Sequence, residues 1–199
     1  MRLSLNFIFW LITFLFAGTS FFYTYNVISF KNRQGAQSGP VNFKSGQKVL
    51  AAGIIDGDEI TVKMGEARFI VRILGIWSFD ATANDTLTQG QGRAAVNYLQ
   101  ANVLNNEVIL EFDKFTIDRN NRLLSCVRKN GRDVGLDMVA SGTCLVYTKY
   151  PFPRMAEYLS AEREAGKKKL GLWGDPEIRT RSLELKKLWE RESTGKEGD

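Results

Sequence analysis

Ile54-Ile55-Asp56-Gly57-Asp58 and Phe69-Ile70-Val71-Arg72-Ile73-Leu74 are the two runs that decide how this chain folds. The first is apolar and ends in two carboxylates that bracket a glycine. The second is apolar on both faces of a strand except for one arginine. Gly65-Glu66, between them, reads as a hairpin turn. An antiparallel hairpin centred on Gly65 sets Asp58 opposite Arg72 to within about one residue of register. A guanidinium among Phe69, Ile70, Val71, Ile73 and Leu74 needs an anion beside it. Asp58 and a bound phosphate both qualify.

Outward from this hairpin, residues 48–55, 59–64 and 68–76 are short, β-branched and separated by glycine turns. Gly90-Gln91-Gly92 precedes a helical pattern carried by Val96, Leu99 and Val103 and closed by Asn105-Asn106. Strands follow at 108–112 and 123–128, the second after the polar loop Asp118-Arg119-Asn120-Asn121-Arg122. Residues 134–140 read as a short helix stopped by Gly142, 143–147 as a last strand, and 154–170 as a charged helix. Gly171-Leu172-Trp173-Gly174 ends that helix. Asp175-Pro176-Glu177 then starts another, running to about residue 191 with Ile178, Leu185 and Trp189 as its apolar stripe. Five short strands with interposed helices predict an α+β, mainly β fold: a small closed barrel of the OB type with about three helices. An open α+β sandwich fits the same pattern less well.

The N-terminal run, Phe7-Ile8-Phe9-Trp10-Leu11-Ile12-Thr13-Phe14-Leu15-Phe16-Ala17, stays apolar with interruptions to Phe30. It is long enough to span a bilayer, which takes about 20 residues. A cleaved signal peptide is the rival reading, with small residues at Ala17-Gly18-Thr19-Ser20 but no clean cleavage site. The expected organisation is a membrane anchor over 1–30, a polar linker over 31–46, the barrel domain over 47–174, and a C-terminal helix with a polar tail over 175–199. A single pass with the C-terminal domain exported is the expected placement. The domain itself is expected to be monomeric.

Composition removes whole classes of chemistry. The 199 residues include no histidine, so imidazole serves as neither base, nucleophile nor ligand. Cys126 and Cys144 are the two cysteines, too few for a thiolate zinc site; in an exported domain they are candidates for one disulfide. Oxygen-liganded hard cations remain open. A net charge of +5 fits a polyanionic partner without requiring one.

Taken in order, Ile55-Asp56-Gly57-Asp58, the arginine of Val71-Arg72-Ile73-Leu74-Gly75-Ile76, the loop Asp118-Arg119-Asn120-Asn121-Arg122-Leu123, Leu136-Asp137-Met138-Val139-Ala140-Ser141-Gly142 and Gly171-Leu172-Trp173 resemble the staphylococcal nuclease (thermonuclease) family over about residues 48–174. The resemblance implies a five-stranded OB barrel with three helices that hydrolyses DNA or RNA phosphodiesters, normally with calcium. It implies Asp58 as a metal ligand with Asp56 close behind. It implies Arg72 and Arg122 as the arginines that fork onto phosphate oxygens. Arg119, Asn120, Tyr147 and Tyr150 fall where the family contacts the nucleotide. Asp80 falls where the family has its glutamate base.

The chain departs from the family at Trp77-Ser78-Phe79-Asp80. Trp77 stands at the second metal-binding carboxylate, Phe79 at a proline, and Asp80 is one methylene shorter than the expected glutamate. A calcium ion or other divalent cation is therefore held by fewer charges. Two functions follow. One is a membrane-anchored, metal-dependent nuclease weakened at Trp77 and Asp80. The other is an inactive OB module that binds nucleic acid or a protein partner in the cell envelope.

Overall fold

The computed structural model describes Trp10, Thr13, Phe14, Phe16, Thr19 and residues 43–114 and 116–194. The chain divides into two units, Met1–Pro40 and Val41–Asp199. In the first, the five described residues are helical and exposed. Most of the anchor expected over 1–30, most of the linker over 31–46 and the end of the tail lie outside the described residues. Among those that are described, no helix is long and apolar enough to cross a membrane.

In the second unit the chain runs β1 (Gln47–Asp56), β2 (Glu59–Met64), β3 (Ala67–Ile73), β4 (Ile76–Trp77), α1 (Thr86–Asn102) and β5 (Glu107–Glu111). Then come β6 (Leu123–Lys129), β7 (Arg132–Asp133), α2 (Val134–Ala140), β8 (Leu145–Val146), α3 (Met155–Lys167), a 3-10 turn at Gly171–Trp173 and α4 (Pro176–Thr194). β1 pairs antiparallel with β2 on one side and β5 on the other; β2 pairs with β3, and β5 with β6. β6 also runs parallel to β3, with Arg72 opposite Leu124. That last pairing closes five strands into a barrel and leaves no long edge open. The closed barrel with four helices is the expected OB-type architecture with one helix added at its C-terminal end.

The barrel closes because alternate residues point inward. Ile60 and Val62 on β2, Phe69, Val71 and Ile73 on β3, and Val108 and Leu110 on β5 are all buried. Arg72 therefore lies on the outer face of β3, with its side chain 17% exposed between half-buried Ile70 and Leu74. α1 and α2 cover the barrel through Ala95, Leu99, Met138 and Val139. A second cluster gathers Phe79, Leu145, Leu172, Trp173, Ile178 and Trp189, with Trp77, Tyr147 and Leu185 packed against it. The stripe expected on the last helix, Ile178, Leu185 and Trp189, is the face by which α4 attaches.

Several boundaries differ from expectation for local reasons. The strand expected over 68–76 breaks after Ile73, because Leu74-Gly75 turns the chain; Gly75 has φ of 84° and the Phe152 ring lies 2.4 Å from where a Cβ would stand. α1 begins four residues before Gly90, at Thr86, because Asp85 caps it by accepting from the Leu87 amide. The last strand shrinks to Leu145–Val146, paired with Ile76 and Trp77. Cys126 and Cys144 are both free, so the candidate disulfide is corrected. Cys144 is fully buried with its thiol against the Gly57 carbonyl, while Cys126 lies on β6 on the face opposite buried Ser125 and Val127.

Candidate functional site

The β1–β2 turn presents Asp56, Gly57 and Asp58. A Cβ on Gly57 would lie 2.5 Å from Cβ of Ala95 and 2.6 Å from Oγ of Ser78. Only glycine lets α1 and the Ser78 segment close over the turn. Asp58 is thereby sealed at 2% exposure. Its Oδ1 accepts from Arg72 Nη1, and its Oδ2 accepts from the Ser78 amide at 2.8 Å. The hairpin pairs Glu59 with Arg72, one residue from the centred register, and the Asp58 side chain still reaches the guanidinium.

Arg122 arrives from the other side of the barrel closure. Asp118 shapes its loop: Oδ1 accepts from the amides of Asn120 and Arg122 at 2.8 and 2.9 Å, and Oδ2 accepts from Arg122 Nε at 2.6 Å. Arg122 Nη1 binds Glu59 Oε1, and Arg72 Nη1 lies 3.6 Å from that same oxygen. One carboxylate oxygen thus sits between two guanidinium groups. Glu59 and Asp118 are the residues that sequence reasoning missed as site members. The x-Asp-x-x-Asn turn pattern and the cross-strand partner of Arg72 carry the signals for them.

Arg72 and Arg122 open onto a cavity of about 690 Å³ whose lining also includes Trp77, Tyr147, Arg119 and Asn120. Tyr150 lines it too, with its ring 6.1 Å from that of Tyr147. Both arginines and all four candidate nucleotide contacts therefore surround one space. The candidate carboxylates do not line it. Asp58 lies behind Arg72, and Asp56 Oδ1 accepts from the Gly57 amide at 2.8 Å. Asp80 is exposed, and its Oδ1 accepts from the Thr82 amide and hydroxyl at 2.6 and 2.7 Å. Those two bonds hold its carboxyl below the usual range.

The residues present do not fit a carboxylate-built cation site. Both oxygens of Asp58 are already taken by donors, position 77 is an indole, and the described residues contain no group of three acidic or cysteine side chains placed to hold a metal.

Burial pushes the Asp58 carboxyl up from 3.8 to about 6, while Arg72 and the Ser78 amide pull it the other way. The native state then binds a proton more tightly than the unfolded chain. This group's contribution to stability is complete below about pH 4 and is lost as the pH rises through about 6, a change on the order of 2–3 kcal/mol. A carboxyl-detected NMR titration is expected to place the Asp58 midpoint near 6. A midpoint at or below 4 would show that the Arg72 pair outweighs burial.

Comparison with known proteins bears on this arrangement. The family model described as Staphylococcal nuclease homologue matches residues 70–175. The chain is also similar to a thermonuclease of Staphylococcus intermedius, at 28% identity over 132 residues that cover 64% of this chain and 77% of that protein.

Proposed function

The chain belongs to the staphylococcal nuclease homologue family, and on that premise we propose that the Arg72–Arg122 pocket takes a phosphodiester of DNA or RNA and promotes its hydrolysis. The observation that carries this reading is the single Glu59 oxygen held between the two guanidinium groups. A phosphate oxygen is the same kind of guest, an anion with lone pairs that planar forks can share. As water adds to phosphorus and the leaving P–O bond breaks, charge builds on the non-bridging oxygens, where fixed guanidinium groups stabilise it most. Arg119, exposed on the same rim, adds a third positive charge for the strand. Both Thr82 bonds fall on Asp80 Oδ1 and hold its carboxyl below the usual range, which makes it a weak base for this reaction.

A divalent cation accompanies the family resemblance, but this chain offers it one buried carboxylate. The proposed chemistry is accordingly carried by the arginines. The second reading, a module that binds nucleic acid or a protein without cleaving, is favoured by one observation: Trp77, which the resemblance sets at the second ligand's position, is packed edge-on against Phe79 and Trp189. We also read residues 1–30 as a single-pass anchor, 31–46 as its linker, and 47–174 as an exported, monomeric domain.

The full chain, incubated with single-stranded DNA or RNA in the presence of calcium and separately of a chelator, tests both readings. Cleavage is expected, and Arg122→Ala is expected to reduce it by about 10²-fold. Salt-sensitive binding with no cleavage in either condition would leave the second reading standing and reject the first.

A further inference from the structure

α4 lies beyond the region that the family model matches, yet it reaches the pocket. Trp189 is 6% exposed and stands edge-on to two rings of the pocket lining: Trp77 at 5.6 Å and Tyr147 at 5.0 Å between centroids. The same helix sends Lys186 to Glu162, whose Oε1 accepts from the Val146 amide at 2.9 Å, one residue before Tyr147. Glu162 is 5% exposed, so the Lys186 pair is an inner tie between α4, α3 and β8. At the rim, Glu192 binds Lys149 at 2.6 Å, and Lys149 Nζ lies 6.0 Å from the Tyr150 ring centroid. Three ties from one helix therefore converge on the aromatic side of a single cavity.

We propose that Trp189 is a positioning residue for the pocket: α4 holds the rings of Trp77 and Tyr147 as a fixed wall, and that wall sets how tightly the pocket takes a nucleotide of a single strand. Rings stack on a base only if their planes are already oriented, and edge-to-face neighbours are what orient them here. The indole at position 77 then has a second purpose. It is the contact through which the added helix acts on the site. This inference rests on the reading of the cavity as the nucleic-acid site.

The test is equilibrium binding of a short, labelled single-stranded oligonucleotide to the full chain, with urea stability measured on the same samples. Trp189→Leu removes the edge-to-face contacts and is expected to weaken binding about tenfold at a temperature where the variant stays folded. Trp189→Phe keeps a ring and is expected to restore binding to within about twofold of wild type. Val108→Ala, in the far wall of the barrel, costs stability without touching the ring cluster and is expected to leave binding unchanged. If Trp189→Leu and Val108→Ala lose binding in proportion to stability, or if Trp189→Leu folds and binds as wild type does, the positioning role is overturned while the pocket reading survives. If Trp189→Leu does not fold, the Phe variant decides alone: a Kd more than about fivefold above wild type refutes the rescue on which the proposal depends. Absence of binding by the wild-type chain would overturn the pocket reading and this inference together.

Discussion

Arg72→Ala is expected to lower phosphodiester cleavage by about 10²–10³-fold and to destabilise the fold at the same time. The two losses have different origins. The first is removal of a fixed positive fork from the phosphate position. The second is the buried carboxylate left behind, because Asp58 is 2% exposed and loses its only charged partner on Oδ1. Breaking such a pair from one side costs about 3–5 kcal/mol when the remaining charge persists. Asp58 need not keep its charge, since burial already holds its carboxyl near 6 and loss of Arg72 moves it higher. The raised value means that stability is retained at low pH and lost as the pH rises. The variant is therefore expected to be closer to wild type in urea at pH 5 than at pH 8. Adding Asp58→Asn to Arg72→Ala is expected to recover most of the stability at pH 8 and none of the activity. If activity returned with stability, Arg72 would be a structural counter-ion and nothing more.

The paired substitution Trp77→Asp with Asp80→Glu is the second large effect. On paper it rebuilds the family's pattern and should restore a cation site. In the fold it is expected to cost about 3–5 kcal/mol and to give no large gain of calcium-stimulated cleavage. Trp77 links the ring of Phe79, at 5.0 Å, to that of Trp189 on α4, at 5.6 Å, so its loss loosens α4. The new carboxylate would enter the cavity that Arg72 and Arg122 already line, and the Asp58 oxygens would still belong to Arg72 and Ser78. Urea unfolding and calcium titration followed by tryptophan fluorescence check the two halves. Tight calcium binding together with a large rise in cleavage would show that the site has merely lost a ligand and that Asp58 is free to change partners.

Much of this was legible in the chain itself, and the rest was hidden for physical reasons. The hairpin was readable because alternation and a glycine turn fix register to about one residue. The actual pairing sets Glu59 against Arg72, and that one-residue difference is what concealed Glu59 as a site member. Gly90 and Gly92 looked like a loop before a helix, yet both lie inside α1. Gly92 is there because the backbone at Phe79 and Ala81 passes 2.5 Å from where its Cβ would be, a contact no local pattern reveals. Arg72 and Arg122 were recognised from the family resemblance, but their common neighbour depends on the parallel β3–β6 closure, which is invisible to periodicity. The direction of Asp80 was likewise set by Thr82, two residues on. The last helix showed in the sequence only its apolar stripe; its reach to the pocket rim depends on Trp189 meeting Trp77 across 112 positions of sequence.

Glu59 gives the two guanidinium groups an anion of their own. An incoming anion that takes the same two Nη1 donors competes with a tethered rival that never diffuses away, so its affinity there is a difference between two attractions rather than the strength of one. Added salt screens both the guest and the rival, which blunts the ionic-strength response that a bare pair of guanidinium groups would show. Such a lock is quiet towards stray chloride and acetate, and it opens for a ligand with enough oxygens to satisfy both forks at once.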